Sequence, residues 1–256
     1  MIRKLIGTII ILVLVVLALG TSSVKASHSW GNYHWARTSN PFNLNLGDNL
    51  SSAWDLFLAT TSTDWSVSDV LDTTVVAGQA KRNCRPTSGR VEVCNAKYGR
   101  NGWLGLAQIW VSGDHIYQGV TKANDTYFNT STYNTPGWRN LVMCQEVGHT
   151  LGLDHQDENF DNANLGTCMD YTSNPYGPPS NEHPNAHDYE QLEIIYEHLD
   201  SITTISQTIN QRNGLEVNLD NPSQWGKLVK SQGRIAVYER DFGGGYKAFT
   251  FVIWAD

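Results

Sequence analysis

Residues 144–155 read C-Q-E-V-G-H-T-L-G-L-D-H, with a glutamine, a glycine and two histidines at the spacing of a metal-binding helix and turn. Gln145 and His149 stand four residues apart, so on an α-helix their side chains point from one face and can converge on one ion. Gly152 can adopt the left-handed conformation that ends a helix. The chain then turns, and His155 approaches from another side. The spacing therefore predicts a metal site on a helix and its following turn.

Glu146 follows the first ligand position and is offset around the helix. A carboxylate there would be the general base that takes a proton from water at the metal. Three protein ligands with an open fourth position are the arrangement of a catalytic zinc site. The side-chain oxygen of Gln145 can reach a metal, but proteins bind zinc chiefly through Cys, His and carboxylate groups, so weaker binding is expected. Because an amide is as neutral as imidazole, the site could still acidify water.

The stretch is similar to the long zinc-binding signature of the metzincin proteases, with Gln145 where that signature opens with a histidine. Downstream, Thr167-Cys168-Met169-Asp170-Tyr171 resembles the methionine turn that metzincins place beneath the metal. In the astacin-like and serralysin-like branches a tyrosine two residues after the methionine approaches the zinc. The resemblance implies that Met169 supports the site and that Tyr171 is a fifth ligand or an oxyanion stabiliser; ordinary core packing is the alternative.

The resemblance covers about residues 30–200 and implies an α+β fold: a twisted mixed β-sheet with an active-site helix and a C-terminal helix. Thr135 and Pro136 predict the start of the metal helix. The stretch Pro184-Asn185-Ala186-His187-Asp188 at the start of the last helix is similar to the matrixin-like group, from which Tyr171 departs. Hydrophobic periodicity predicts the other elements: a strand over 35–46, a helix over 51–71, and strands over 73–77 and 105–111.

Four cysteines permit three disulfide pairings. Cys84 and Cys94 bracket a short polar loop. Cys144 adjoins the metal helix and Cys168 adjoins Met169, two elements that would meet at one site, which favours a Cys144–Cys168 disulfide. A cysteine zinc site is disfavoured because no C-x-x-C spacing occurs.

The N-terminus predicts export. Arg3 and Lys4 precede an apolar run over 5–19, and the small-residue pattern at 24–26 suits signal-peptide cleavage. The run is short for a membrane span, although an uncleaved anchor is the alternative. We therefore expect a secreted, extracellular protein without stable membrane association after cleavage. The domains expected are a signal peptide (1–26), a metzincin-like catalytic domain (27–200) and a C-terminal linker with a β extension (201–256).

The net charge of the chain indicates which kinds of partner it can bind. The formal net charge is −7, and removal of three basic residues with the signal peptide makes it −10. Such an acidic chain is a poor candidate for nucleic-acid binding. The remaining length suffices for one well-buried domain with an appendage, and we expect a monomer.

The C-terminal extension begins with a polar stretch, residues 201–213, that suggests a linker. Two strands, 233–238 and 246–254, are predicted around the glycines at 243–245. A two-stranded ribbon is rarely stable alone, so the extension is expected to pack on the catalytic domain.

The resemblance also implies where a substrate would bind. The segment 104–111 corresponds to the upper rim of the metzincin cleft, which pairs with an extended substrate by strand addition. Residues 174–184 would wall the pocket for the substrate side chain just beyond the cleaved bond.

A calcium site is a further prediction, because the loop after His155 partly matches an EF-hand register. Asn162 at position six and Cys168 at position twelve depart from that pattern, and a solvated loop is the default. His115 is an alternative to Gln145 as a ligand, whereas His183 and His187 are expected to be surface or cap residues. The oxygen-bearing residues of the loop are Asp157, Glu158, Asn159, Asp161, Asn162 and Asn164.

The sequence thus favours a secreted zinc metalloendopeptidase acting on protein or peptide substrates. Two alternatives stay open: a catalytically inactive metzincin-like extracellular binding protein, and a metal-dependent hydrolase of a non-peptide substrate. Glu146 favours the first function, because an inactive relative has no use for a water-activating carboxylate there.

Overall fold

The computed structural model describes residues 27–79, 83–207 and 219–255. The predicted signal peptide and part of the predicted linker lie outside the described residues. Within them the fold is α+β, with nine strands and four α-helices in this order: β1 (His34–Trp35), β2 (Phe42–Asn49), α1 (Asp55–Trp65), β3 (Leu71–Ala77), β4 (Val91–Ala96), β5 (Trp103–Ser112), β6 (His115–Asn124), α2 (Asp125–Phe128), α3 (Pro136–Thr150), α4 (Ala186–Ile195), β7 (Lys227–Gln232), β8 (Ile235–Gly243) and β9 (Tyr246–Trp254).

The strands form one mixed sheet in the order β3-β2-β4-β6-β5-β9-β8-β7, with β1 paired to β6. Strands β2, β3, β4 and β6 run parallel, whereas β5 is antiparallel to both β6 and β9. The helix α3 packs against β5 and β6. Because both edges of β5 are paired, the C-terminal strands continue the sheet on which α3 packs.

Two predicted elements differ in extent. The predicted strand over 35–46 is two strands, β1 and β2, since the chain bends before Pro41, which has no N–H for a strand ladder. The predicted helix over 51–71 is limited to 55–65. After it the chain turns back, so that the carbonyl of Val70 accepts a hydrogen bond from Phe42 N at 3.2 Å and β3 pairs with β2.

Helix α3, which contains Gln145 and His149, begins as predicted. Thr135 accepts a hydrogen bond from Trp138 N at 3.4 Å, and Pro136 is the first helical residue. Gly152 has φ +96°, and a Cβ there would lie 2.4 Å from the carbonyl oxygen of Tyr33. Only glycine fits this turn, which confirms the predicted helix ending.

Helix α4 also begins where the sequence predicted. Asn185 accepts hydrogen bonds from the backbone N–H groups of His187 and Asp188 at 2.8 and 3.3 Å, and Asp188 accepts one from Asn185 N at 2.7 Å. This reciprocal capping box fixes the start of the helix. No helix in the described ranges is long and apolar enough to cross a membrane.

Two disulfides join Cys84 to Cys94 and Cys144 to Cys168. The second confirms the predicted disulfide between α3 and the segment that contains Met169. The described part of the predicted linker packs on the domain, because Thr204 N and Ser206 N donate to backbone carbonyls at 2.9 and 2.8 Å. The extension packs on the domain as expected, and it contains one strand, β7, that the sequence did not predict.

Candidate metal centre

The side chain of Gln145 is buried, and one hydrogen bond fixes the orientation of its amide group. The side-chain nitrogen donates a hydrogen bond to the carbonyl oxygen of Cys168 at 2.9 Å. The side-chain oxygen, Oε1, is buried and has no hydrogen-bond partner among the described residues. An unpaired buried acceptor is costly unless a donor or a cation satisfies it. The arrangement therefore leaves one oxygen lone pair available for a metal.

His149 lies on the same face of α3. Its Nδ1 contacts the carbonyl oxygen of Leu153 at 3.0 Å, and because a carbonyl only accepts, Nδ1 carries the proton. Nε2 is then the lone-pair nitrogen. Burial, and next the neighbouring His155, lower the pKa of His149 to about 3, so the imidazole is neutral, as metal ligation requires. The two histidine rings meet edge to face with centroids 4.5 Å apart.

His155 is held by an acidic pair. Its Nδ1 lies 3.5 Å from Asp154 Oδ1 and 3.9 Å from Glu158 Oε1. The ammonium of Lys230, on β7, lies 2.6 Å from Asp154 Oδ2 and also contacts Glu158. The carboxylates thus bind a lysine and orient the imidazole, a common arrangement around metal-binding histidines.

Glu146 is buried against β5. A Cβ at Gly105 would lie 2.9 Å from Glu146 Oε1 and 2.5 Å from Val142 Cγ1, so a side chain at this strand position would displace the carboxyl group. Burial raises the pKa of Glu146 well above its ordinary value. A glycine inside a strand signals a close approach, so Gly105 is the signal from which this contact could have been predicted.

Met169 and Tyr171 lie next to the ligand helix. A Cβ at Gly148 would meet the Met169 sulfur at 2.6 Å, so the methionine packs directly against α3 one residue before His149. The Tyr171 ring lies 6.2 Å from that of His155, and its buried hydroxyl has no hydrogen-bond partner among the described residues. Burial raises the pKa of Tyr171, so it is a neutral hydrogen-bond donor.

The donor set of Gln145, His149 and His155 fits zinc. It offers two imidazoles and one amide oxygen without a hydrogen-bond partner among the described residues, beside the carboxyl group of Glu146 and the phenol of Tyr171. The structure does not bring His115 into this set; it lies against His34 and Asp200 instead, which corrects the alternative ligand assignment.

The C-terminal strand β9 covers the site. The Phe251 ring stacks on His149 with centroids 4.5 Å apart and planes 9° from parallel. The next inward side chain, Ile253, has a methyl group 3.2 Å from the Cβ position of Gly105. Sequence reasoning missed both residues. The prediction that the segment 104–111 pairs with an extended substrate is wrong for this conformation, because β9 occupies that edge along the whole length of β5.

The calcium loop and the pocket wall, which lie near the site, stay predictions. In the proposed calcium loop, Asn162 donates to Asp157, and Asn164 donates to the carbonyls of Asn174 and Pro179 at 2.9 and 3.0 Å. The segment proposed as a pocket wall reaches the start of α3, where the Tyr176 hydroxyl accepts a hydrogen bond from Gly137 N at 3.1 Å.

No protein-family model and no curated protein matches the chain. Among solved structures the fold is similar to that of myroilysin, with a TM-score of 0.37 and 12% identity over 63% of this chain and 82% of that chain. It is also similar to high choriolytic enzyme 1, a hatching enzyme zinc-protease from Oryzias latipes (medaka fish), with a TM-score of 0.36 and 11% identity over 64% of this chain and 94% of that chain. Both likenesses are distant, and the chemistry of the site rests on its own residues.

Proposed function

We propose that the protein is a secreted zinc metalloendopeptidase, metzincin-like and of the matrixin-like group, with a signal peptide (1–26), a catalytic domain (27–200) and a β extension (201–256). The proposed zinc ligands are Gln145, His149 and His155. The observation that supports the proposal is that Gln145 donates a hydrogen bond from its amide nitrogen to Cys168, while its buried amide oxygen has no partner among the described residues. Gln145 stands four residues before His149, on the same face of the helix. Protein or peptide would be the substrate.

Zinc, when bound, supplies a Lewis acid that polarises the scissile carbonyl and lowers the pKa of water. Glu146 accepts the proton from the attacking water and delivers it to the leaving amine. The Tyr171 hydroxyl, held neutral by burial, donates a hydrogen bond to the oxyanion. The Leu153 carbonyl keeps His149 in the tautomer whose Nε2 is a ligand.

Substrate access requires β9 to move away from β5. Phe251 and Ile253 occupy the space over His149 and Gly105 that an extended peptide would need. Displacement would also admit water to Glu146. Because burial raises its pKa in the covered state, hydration would return the carboxyl group toward its ordinary pKa and make it a competent base.

The test is cleavage of casein by the secreted, zinc-supplemented protein, with and without a zinc chelator. Glu146→Ala should lower the rate by about 10²- to 10⁴-fold while zinc binding persists. Glu193→Ala, a change of an exposed glutamate on α4, is the matched control and should retain the rate. Equal rates for Glu146→Ala and the parent chain would exclude this mechanism.

The second candidate function is a catalytically inactive, extracellular, metzincin-like binding protein. The observation that favours it is the closure of the site by β9, with Glu146 and His149 both buried. This candidate predicts that folded, zinc-loaded protein cleaves no peptide, even when the β5–β9 contact is weakened.

A further inference from the structure

Three histidines and one aspartate meet away from the candidate metal centre, where β1, β6 and the segment after α4 come together. Nε2 of His34 lies 3.5 Å from both carboxylate oxygens of Asp200. Nε2 of His115 lies 3.2 Å from Asp200 Oδ1, and Nε2 of His198 lies 3.8 Å from the same oxygen. Three imidazole nitrogens thus face one carboxylate oxygen.

The tautomer of His34 makes this arrangement unusual. Its Nδ1 contacts the carbonyl oxygen of Asn32 at 2.7 Å, so Nδ1 carries the proton. In the neutral ring Nε2 is then an acceptor, and it faces the carboxylate of Asp200, which also only accepts. Two acceptors in contact within a buried pocket need a cation between them, either a proton or a metal ion.

Asp200 is oriented by Arg37. The carboxylate Oδ2 accepts hydrogen bonds from Arg37 Nη1 at 2.9 Å and from Arg37 N at 3.2 Å. The guanidinium also donates to the carbonyl of His198. Since Arg37 neutralises the carboxylate, Asp200 does not depend on three protonated histidines for charge balance. Its Oδ1 is left directed at the three rings.

The spacing of His34, His115 and Asp200 suits one ion. Ligands about 2.0 Å from zinc in tetrahedral geometry lie about 3.3 Å from one another. The ligand atoms of these three residues all lie within 4.8 Å of one another. His198 is not part of that group, and its Nε2, 3.8 Å from Asp200 Oδ1, would have to move toward the ion to become the fourth ligand.

An ion could reach the cluster from solvent. A cavity of about 350 Å³ opens beside it and is lined by His34 and His198 together with two acidic residues, Asp114 and Glu197. The acidic lining attracts cations. His198 is exposed over 54% of its side chain and is free to adjust toward an ion, whereas buried His34 fixes the site.

We propose that His34, His115, His198 and Asp200 form a second metal site that binds a divalent transition metal such as zinc. Imidazole and carboxylate ligands suit zinc, and four protein ligands make a closed, structural site. The ion would tie β1 and β6 to the end of α4. This site shares no ligand with the proposed catalytic centre and does not depend on it.

Zinc content tests the proposal. The parent chain, His149→Asn and the His115→Ala/His198→Ala variant are dialysed against zinc chloride, freed of excess metal, and analysed by plasma mass spectrometry. We expect two zinc ions in the parent chain, one in each variant and none in the combined variant. If the catalytic site fails to bind zinc, the parent chain holds one ion, and the His115/His198 change removes it.

His183→Ala is the matched control, because His183 is also half-exposed and paired with an aspartate, at 2.7 Å from Asp64. It should leave the zinc content unchanged. Circular dichroism establishes that each variant is folded. In the His149→Asn background, zinc should raise the melting temperature, and the His115/His198 change should abolish this rise. Equal zinc content with and without His115 and His198 would overturn the proposal. The proposal would also be wrong if the His115→Ala/His198→Ala variant lost the pH dependence of its melting temperature while its zinc content stayed unchanged. The cluster would then bind protons instead of a metal ion.

Discussion

The side-chain nitrogen of Gln145 donates a hydrogen bond to the carbonyl oxygen of Cys168 at 2.9 Å. The Cys144–Cys168 disulfide joins the same two segments one residue away. A covalent bond and a hydrogen bond thus hold the methionine turn against the ligand helix. The hydrogen bond fixes the amide nitrogen toward Cys168, so the amide oxygen is the end left without a partner among the described residues.

Replacement of this glutamine by histidine should strengthen zinc binding. Gln145→His substitutes an imidazole nitrogen, which zinc prefers, for an amide oxygen. We expect the zinc dissociation constant to fall by at least about tenfold, measured by competition with a chromophoric chelator. Gln145→Ala is the control and should bind zinc more weakly than the parent chain. Identical constants for all three chains would mean that position 145 is not a ligand.

A covalent lock between β5 and β9 should abolish cleavage. Gln108 and Thr250 are register partners whose side chains are hydrogen-bonded at 3.1 Å, on the sheet face opposite Phe249 and Phe251. Cysteines at both positions lie within disulfide reach. In the oxidised Gln108→Cys/Thr250→Cys variant, β9 cannot leave, and we expect the casein rate to fall at least about tenfold.

Reduction should restore the rate of the locked variant, and the parent chain treated with the same reductant controls for any loss of its own two disulfides. The single variant Thr250→Cys controls for the substitution itself. Full activity in the oxidised double variant would show that substrate reaches the site without displacement of β9.

Packing beneath the ligand helix predicts an asymmetry between two glycines of α3. Gly148→Ala would place a methyl group 2.6 Å from the sulfur of Met169 and 2.8 Å from the Trp65 ring, both buried. We expect destabilisation of about 1–3 kcal/mol by overpacking, measured by urea unfolding. Gly137→Ala is the matched control: its methyl would meet Tyr176, which is half-exposed and can move. Equal stability of the two variants would contradict this packing.

The Lys230–Asp154 ion pair should give a defined pH dependence. Burial alone would raise the pKa of Asp154, but His155 and Lys230 outweigh it and hold that pKa below its ordinary range. Burial would lower the pKa of Lys230, and the two carboxylates raise it instead. Such a carboxylate stabilises the fold above its unfolded pKa of about 3.9, and the lysine does so below about 10.4.

Lys230→Met should therefore lower the melting temperature by about 2–4 °C between pH 5 and 9, for a loss of about 1 kcal/mol. The difference should shrink as the pH falls below about 4 and Asp154 is protonated. Thermal melts of both chains across this range give the comparison. A difference that instead disappears between pH 7 and 5 would assign the effect to histidine protonation.

Local signals in the sequence predicted the ligand helix well. The cap at Thr135 and the turn at Gly152 depend on residues within one or two turns of each other, and both are present. The β6 strand was missed because Gln118, Thr121 and Lys122 are buried in it, so its burial does not appear as a hydrophobic pattern.

The pairing of strands that lie far apart in the sequence could not be predicted from local sequence patterns. Alternating apolar residues in β9 predict a strand with a buried face, but they do not say which strand edge it joins. Its partner, β5, lies some 140 residues earlier, and the covering of His149 by Phe251 follows from that pairing alone. The histidine cluster could not be predicted from local patterns either, because 85 residues separate His115 from Asp200.

Anomalous diffraction at the zinc edge from crystals of the zinc-loaded protein would show whether Gln145 is a zinc ligand. We predict a peak within bonding distance of Gln145 Oε1 and of Nε2 in both His149 and His155. An anomalous map with zinc elsewhere, or with His149 and His155 ligating an ion that Gln145 does not touch, would contradict the glutamine-containing zinc centre.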